Sequence, residues 1–245
     1  MNLSKDQELV CGINPVNEII SMRPGSVTTL FFEENKGARI QELNQLAEKH
    51  NIEVAVQDSS FFSKNFDEMN HQGVAIICNK RLEENENFLE SLIDKENLLL
   101  LILEHITDPH NVGACIRSAA AAGVDAVIVP KNRSCHLTPT VRKISSGGAE
   151  LIPFVVVTNI VRTINKLQSE GVMVYGTDME ASKLHNEVTF GDKSALIIGS
   201  EDKGLKRLTL ENCDEIIKVK MPGRIESLNA SVSTGIMLFQ MIDQQ

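Results

Sequence analysis

The sequence has no apolar run fit for a membrane. Its longest, Leu98 to Leu103, falls far short of the about twenty residues that a spanning helix needs. The opening MNLSKDQELVCG lacks the charged-then-apolar pattern of an export signal, so a cytoplasmic protein with reduced cysteines is expected. Among the five cysteines (Cys11, Cys78, Cys115, Cys135 and Cys213) there is no CxxC pair and no zinc spacing to a histidine. Free thiols and no metal are the expectation. Also missing are a GxGxxG turn after a strand, a GxxxxGK[ST] phosphate loop, a GxSxG elbow and an HExxH helix. Their absence argues against a nicotinamide dehydrogenase, a P-loop nucleotidase, a serine hydrolase of the elbow type and a zinc protease.

Positive charge is scarce as well. Lys and Arg number 24 against 33 Asp and Glu, a net charge of −9, which excludes a general nucleic-acid coat because neutralising phosphates takes cations at the contact surface. A local patch is still allowed. From residue 126 to 149 there is no acidic residue, and Lys131, Arg133, His136, Arg142 and Lys143 form a basic strip there that suits a selective RNA contact.

What is present reads as α/β. In the first 78 residues an apolar periodicity runs from Pro15 and Val16 through Ile19, Ile20 and Met22. A strand-like VTTLFF (27–32), a helical pattern from Ala38 to His50, and strand-like IEVAVQ (52–57) and GVAIIC (73–78) follow. The charged, Asn-rich stretch 79–97 reads as a linker with at most one helical turn. From Leu98 to the C-terminus short apolar strands alternate with helices, which predicts a mostly parallel sheet covered on both faces. Thr138 and Pro139 mark one helix start, and Gly123 and Gly171 mark helix ends.

The turns of such a sheet carry its ligands. After LLLLILE comes HITDPHNVGACIR, where Asn111 reads as a helix cap, Gly113 permits close approach, and Arg117 follows within the helix. A second turn, IIGSEDKGL, holds Gly199, Glu201 and Gly204. A third segment, VKMPGRIESLNASVSTGIMLF, bends at Pro222 and Gly223 and clusters Ser227, Asn229 and Ser231 before an apolar helix; a cap would use only one of those side chains. Met237 and Met241 read as core, and His105 and His110 as structural or substrate-facing.

In this order, DPHNVGACIRSAAAAG, IIGSEDKGL and MPGRIESLNASVSTGI resemble the SpoU, or TrmH-like, family of RNA 2′-O-methyltransferases. VCGINPVNEII and HQGVA (71–75) are similar to the small N-terminal domain of the branch that methylates a guanosine of 23S ribosomal RNA. The resemblance implies a ribosomal-protein-like RNA-binding domain (1–78), a linker (79–97) and a SPOUT methyltransferase domain (98–245) with a deep trefoil knot. It implies S-adenosylmethionine as methyl donor, structured RNA as substrate and a homodimer. Arg117 matches the family's catalytic arginine, with Asn111, Glu201, Ser227 and Asn229 as its companions. Thr177, Gly199, Val219, Met221 and Leu228 match the donor-holding positions. Lys220 departs from the pattern, standing where relatives usually carry Pro. The dimer is also suggested by the last helix, apolar around much of its circumference. A transfer-RNA ribose methyltransferase and a catalytically silent RNA-binding assembly factor are the alternatives.

Overall fold

The computed structural model describes residues 3–33, 37–66, 70–225 and 227–244, which divide into two compact units. The first comprises Met1–Leu82 together with Ser146–Leu151, and the second Glu83–Ser145 with Ile152–Gln245.

The first unit runs β1 (Gln7–Cys11), α1 (Ile13–Met22), β2 (Val27–Glu33), α2 (Ala38–Lys49), β3 (Glu53–Gln57), α3 (Ser59–Phe66) and β4 (Val74–Asn79). Its sheet has the order β1-β4-β2-β3, with β4 antiparallel to both neighbours and β2 parallel to β3. Successive strand residues face opposite ways. Leu30 and Ile76 therefore pack with Val16, Ile19, Ile20 and Leu43, while Phe31 and Ala75 meet Phe62 and Phe66 on the other face. The two N-terminal segments that carry the family resemblance touch: Gln72 Oε1 accepts from the backbone N–H of Ile13, 3.0 Å away, and so caps α1. Gly12, which precedes that helix at φ 101°, has no side chain to do so.

The second unit contains β5 (Glu84–Asn85), β6 (Leu98–Leu103), α4 (Pro109–Ala121), β7 (Ala126–Pro130), α5 (Pro139–Ile144), β8 (Phe154–Val157), α7 (Ile160–Ser169), β9 (Met173–Thr177), β10 (Lys183–Leu184), β11 (Lys193–Ile198), α8 (Arg207–Glu211), β12 (Glu215–Lys218) and α9 (Ala230–Ile242). The short helix α6 (Gly148–Leu151) lies within the segment that groups with the first unit. The sheet order is β10-β12-β9-β11-β6-β7-β8-β5, and every adjacent pair is parallel. Central β6 is buried along all six residues, as expected of a strand covered on both faces. Residues 83–97, inside the stretch that reads as a linker, belong to this unit's fold: β5 extends the sheet beside β8, and Leu89 and Leu92 are core residues.

Helix boundaries follow local chemistry. Thr138 caps α5 with Pro139 next, and Gly123 and Gly171 take φ of 72° and 82° just past α4 and α7. Asp108, not Asn111, caps α4: its carboxylate accepts from the backbone N–H of His110 at 3.0 Å, and Pro109 fills the first helical position. Gly113 is there for helix packing, since a Cβ on it would lie 2.6 Å from Ile144 Cβ of α5. The basic strip loses one member: Arg142 is only 2% exposed and is part of the packing, whereas Lys131 and Arg133 are exposed.

Candidate active site

The carboxyl ends of β9, β11 and β12 open onto one cavity of about 710 Å³, closed by the start of α9. Thr177, Gly199, Val219, Met221 and Leu228, predicted as donor-holding, all line it, as do Glu201 and Ser227. Thr177 is the last residue of β9 and still pairs with Ile217 of β12, while the others stand in segments beyond strand ends, where backbone N–H and C=O groups have left the ladder and can meet a ligand. Thr177 is tied down by its own hydroxyl, which donates to Ile197 O at 3.0 Å and fixes the end of β9 against β11.

The loop after β11 closes on itself. The backbone N–H of Gly204 donates to Ser200 O at 2.8 Å, and a Cβ on Gly199 would lie 2.3 Å from the Gly204 carbonyl carbon. Any side chain at 199 must therefore open the loop. Glu201 projects from it to the edge of the cavity, where its Oε1 accepts from Asn111 Nδ2 at 3.1 Å, Asn229 Nδ2 at 2.5 Å and the backbone N–H of Ala230 at 3.1 Å. Asn229 Nδ2 also donates to Asn111 Oδ1 at 2.8 Å. One polar residue from each of the three sequence segments thus meets in a single hydrogen-bonded knot of side chains. Because Asp108 supplies the α4 cap, the Asn111 side chain is left for this network. Asn229 caps α9 with its Oδ1 and still offers its Nδ2.

Arg117 is not brought to this place. It is exposed on α4, is absent from the cavity lining, and lies six residues past Asn111, roughly 240° further round the helix.

Several lining residues carry no sequence signal of their own. Asp178, Met179 and Glu180 come from the turn after β9, which contains no glycine or recognised motif. Met237, read as core, is indeed 1% exposed, yet it also walls the cavity. Four carboxylates line the space (Asp178, Glu180, Glu201, Asp202) against three ammonium groups (Lys203, Lys218, Lys220), a balance of −1 that favours a cationic ligand. Lys220, the departure from the family pattern, is one of those three cations. Thiol chemistry is not on offer here. Burial pushes Cys115 up to about 11, its Sγ lying 3.3 Å from Thr234 Oγ1, and burial pushes Cys213 up to about 12. Among the described residues no three His, Cys, Asp or Glu side chains are grouped to hold a metal, and no helix is long and apolar enough to cross a membrane.

Residues 9–83 match the sequence model for RNA 2′-O ribose methyltransferase substrate binding, and residues 98–239 match that of the SpoU rRNA Methylase family. These two matches define the class, an RNA methyltransferase. The chain belongs to the SpoU rRNA methylase family, whose methyl donor is S-adenosylmethionine. It is 42% identical over 241 residues to the 23S rRNA (guanosine-2′-O-)-methyltransferase RlmB of Pseudomonas aeruginosa, covering 97% of each chain. It is 38% identical over 240 residues to the RlmB of Escherichia coli K12, covering 97% of this chain and 99% of that one. The fold is also that of the SpoU methyltransferase AviRb of Streptomyces viridochromogenes in complex with AdoMet. That likeness has a TM-score of 0.80 at 22% identity, over 98% of this chain and 90% of the other.

Proposed function

We propose that the protein methylates the ribose 2′-hydroxyl of a guanosine in 23S ribosomal RNA, in the cytoplasm, and that the cavity between the ends of β9, β11 and β12 holds S-adenosylmethionine. The observation that carries this reading is the convergence of Thr177, Gly199, Val219, Met221 and Leu228 on one cavity with the Asn111–Glu201–Asn229 network at its edge. The fit is physical: an acid-rich rim suits a sulfonium, the closed Gly199–Gly204 loop lets a flat group approach backbone, and Ile198, Ile217 and Met237 offer an apolar wall. Bound there, the donor supplies an electrophilic methyl carbon.

The chain's own task is alignment. A ribose hydroxyl is a weak acid and a guanidinium, with pKa above about 12, is a poor base. Arg117 therefore grips the neighbouring phosphate and aims the 2′-oxygen. Asn111, Glu201 and Asn229 hold the donor loop and the start of α9 in register with α4, and Ser227 contributes a hydroxyl to the wall.

Arg117 lies outside the lining of its own cavity, so this reading includes a homodimer. On α9, Val232, Ile236 and Phe239 are exposed at 48%, 36% and 44%, and their spacing of four and three residues makes one stripe. Pairing through that stripe covers apolar surface and brings Arg117 of one copy to the cavity of the other. The small first unit supplies RNA affinity and the second holds the donor. The trefoil knot belongs to the same proposal: residues 199–204 wall one cavity together with residues 219–221, 227, 228 and 230, as two crossing segments of a knot would.

Mapping 2′-O-methylated positions in ribosomal and transfer RNA from cells with and without the gene tests the reading. Loss of one methylguanosine in 23S RNA supports it. Loss confined to a transfer RNA shifts the substrate, and an unchanged map with intact donor binding would favour an assembly factor.

A further inference from the structure

We infer that Glu104 is a positioning residue of the donor site, clamping both ends of the loop that carries Glu201. This rests on the assignment of the cavity to the donor. Glu104 directly follows β6 and is 2% exposed, an unusual place for a carboxyl group unless hydrogen bonds hold it. Its backbone N–H donates to Ile198 O at 2.9 Å, where the loop begins. Its side chain reaches the far end: Oε2 accepts from the backbone N–H of Lys206 at 2.9 Å, and Oε1 accepts from the hydroxyl of buried Thr209 at 2.8 Å. Residues 199–205 are strung between these anchors, pinned at mid-loop by the Ser200–Gly204 bond and by buried Leu205.

The same residue governs a second loop. Four residues after Glu104, Asp108 caps α4, and Asn111 in the first turn of that helix reaches Glu201. Glu104 thus sets the distance between the loop that presents Asn111 and the loop that presents Glu201 without lining the cavity itself. No motif reveals it, because its partners are a backbone N–H and a hydroxyl about a hundred residues away. Two features make the role separable from bulk stability. The side-chain bonds of the clamp reach only Lys206 and Thr209, at the far end of the donor loop, and its chemistry is hydrogen bonding, so an amide can replace it: a glutamine offers its oxygen to Lys206 N–H and its NH₂ to the Thr209 oxygen.

The test uses the full chain, with S-adenosylhomocysteine titrations and steady-state KM values for the donor and for a 23S RNA fragment. Glu104→Ala leaves the Thr209 hydroxyl and the Lys206 N–H without their acceptor. It is expected to raise the donor KM and the S-adenosylhomocysteine Kd about tenfold or more, with the RNA KM changed less than about twofold. Glu104→Gln is expected within about threefold of the parent, and Thr209→Val in between. A folded Glu104→Ala protein with parental donor affinity, or with donor and RNA affinities weakened alike, overturns the inference. So does a Glu104→Gln variant as impaired as Glu104→Ala. If Glu104→Ala does not fold, Thr209→Val decides, and parental donor affinity there is fatal to the clamp. A parent chain that binds no S-adenosylhomocysteine removes the cavity assignment first.

Discussion

Asn229 donates through Nδ2 to Glu201 Oε1 at 2.5 Å while its Oδ1 accepts from the backbone N–H of Ser231 at 2.9 Å. One amide serves as helix cap and as the link between two loops, so the two functions can be separated by chemistry. Asn229→Asp keeps an acceptor for the cap but sets a second carboxylate against Glu201. Donor affinity is expected to fall about tenfold or more at pH 8 and to recover toward pH 5, as the pair takes up a proton. Calorimetric titration across that range checks it; a flat profile at parental affinity contradicts the role given to Asn229.

Arg117→Ala should leave folding and donor affinity intact and lower turnover by about a hundredfold or more, the scale of one lost positioning group. Arg117→Lys should recover little, since a point charge lacks the planar fork. Strong rescue by lysine at raised pH would point instead to proton abstraction at this position.

Mixing two inactive proteins addresses which copy supplies Arg117. An Arg117→Ala chain has an intact cavity, and a Gly199→Val chain has a blocked loop but an intact arginine. If the arginine acts across the dimer, a re-equilibrated equal mixture should regain about a quarter of parental turnover, one working site in half of the dimers. No regain in a mixture shown to exchange subunits places Arg117 in its own chain's reaction.

The stripe on α9 gives a direct test of assembly. Phe239→Glu places a charge among Val232 and Ile236 and should convert the protein to a 27.0 kDa species in sedimentation at micromolar concentration. A parent that already sediments as that species removes the dimer.

Alkaline pH should weaken the fold through the thiols of buried Cys115 and half-buried Cys213. Cys115 and Cys213 rise from 9.0 to about 11 and about 12 in the folded chain, so above pH 9 the unfolded state loses protons that the folded state keeps. Their contribution to stability is complete below pH 9 and lost as pH climbs through 11 to 12. Thermal unfolding of Cys115→Ala should show a shallower decline than the parent over that interval; parallel curves would show that the thiol does not participate.

Much of the architecture was legible because β6, β7 and β11 are apolar runs bounded by clear breaks, and a strand buried on both faces needs no subtler code. The segments around Asn111, Glu201 and Asn229 were legible for a different reason: in that order they resemble the family's three motifs, and the third has more polar groups than capping alone requires. What stayed hidden has physical causes too. Two-residue strands such as β5 and β10 show no periodicity, and β1 and α3 are short enough to pass as loop. The choice between Asp108 and Asn111 as cap turns on φ and ψ, not on residue type. Arg142 looks like surface in any count of charges and is buried by its helix's packing. Asp178 and Glu180 become cavity residues only because β9 ends beside β11 and β12, which a one-dimensional reading does not arrange.

The six residues Ser146–Leu151 fold with the first unit although the chain around them builds the second. Glu150 is buried there against Arg23 Nε at 2.8 Å, and a Cβ on Gly147 would strike Glu18 Cγ at 2.3 Å. The first unit is consequently not a cassette that one genetic crossover can exchange. A graft cut only near residue 82 would pair a foreign helix α1 with the resident Gly147 and Glu150, so chimeras between relatives should fold well only when residues 146–151 travel with the N-terminal graft.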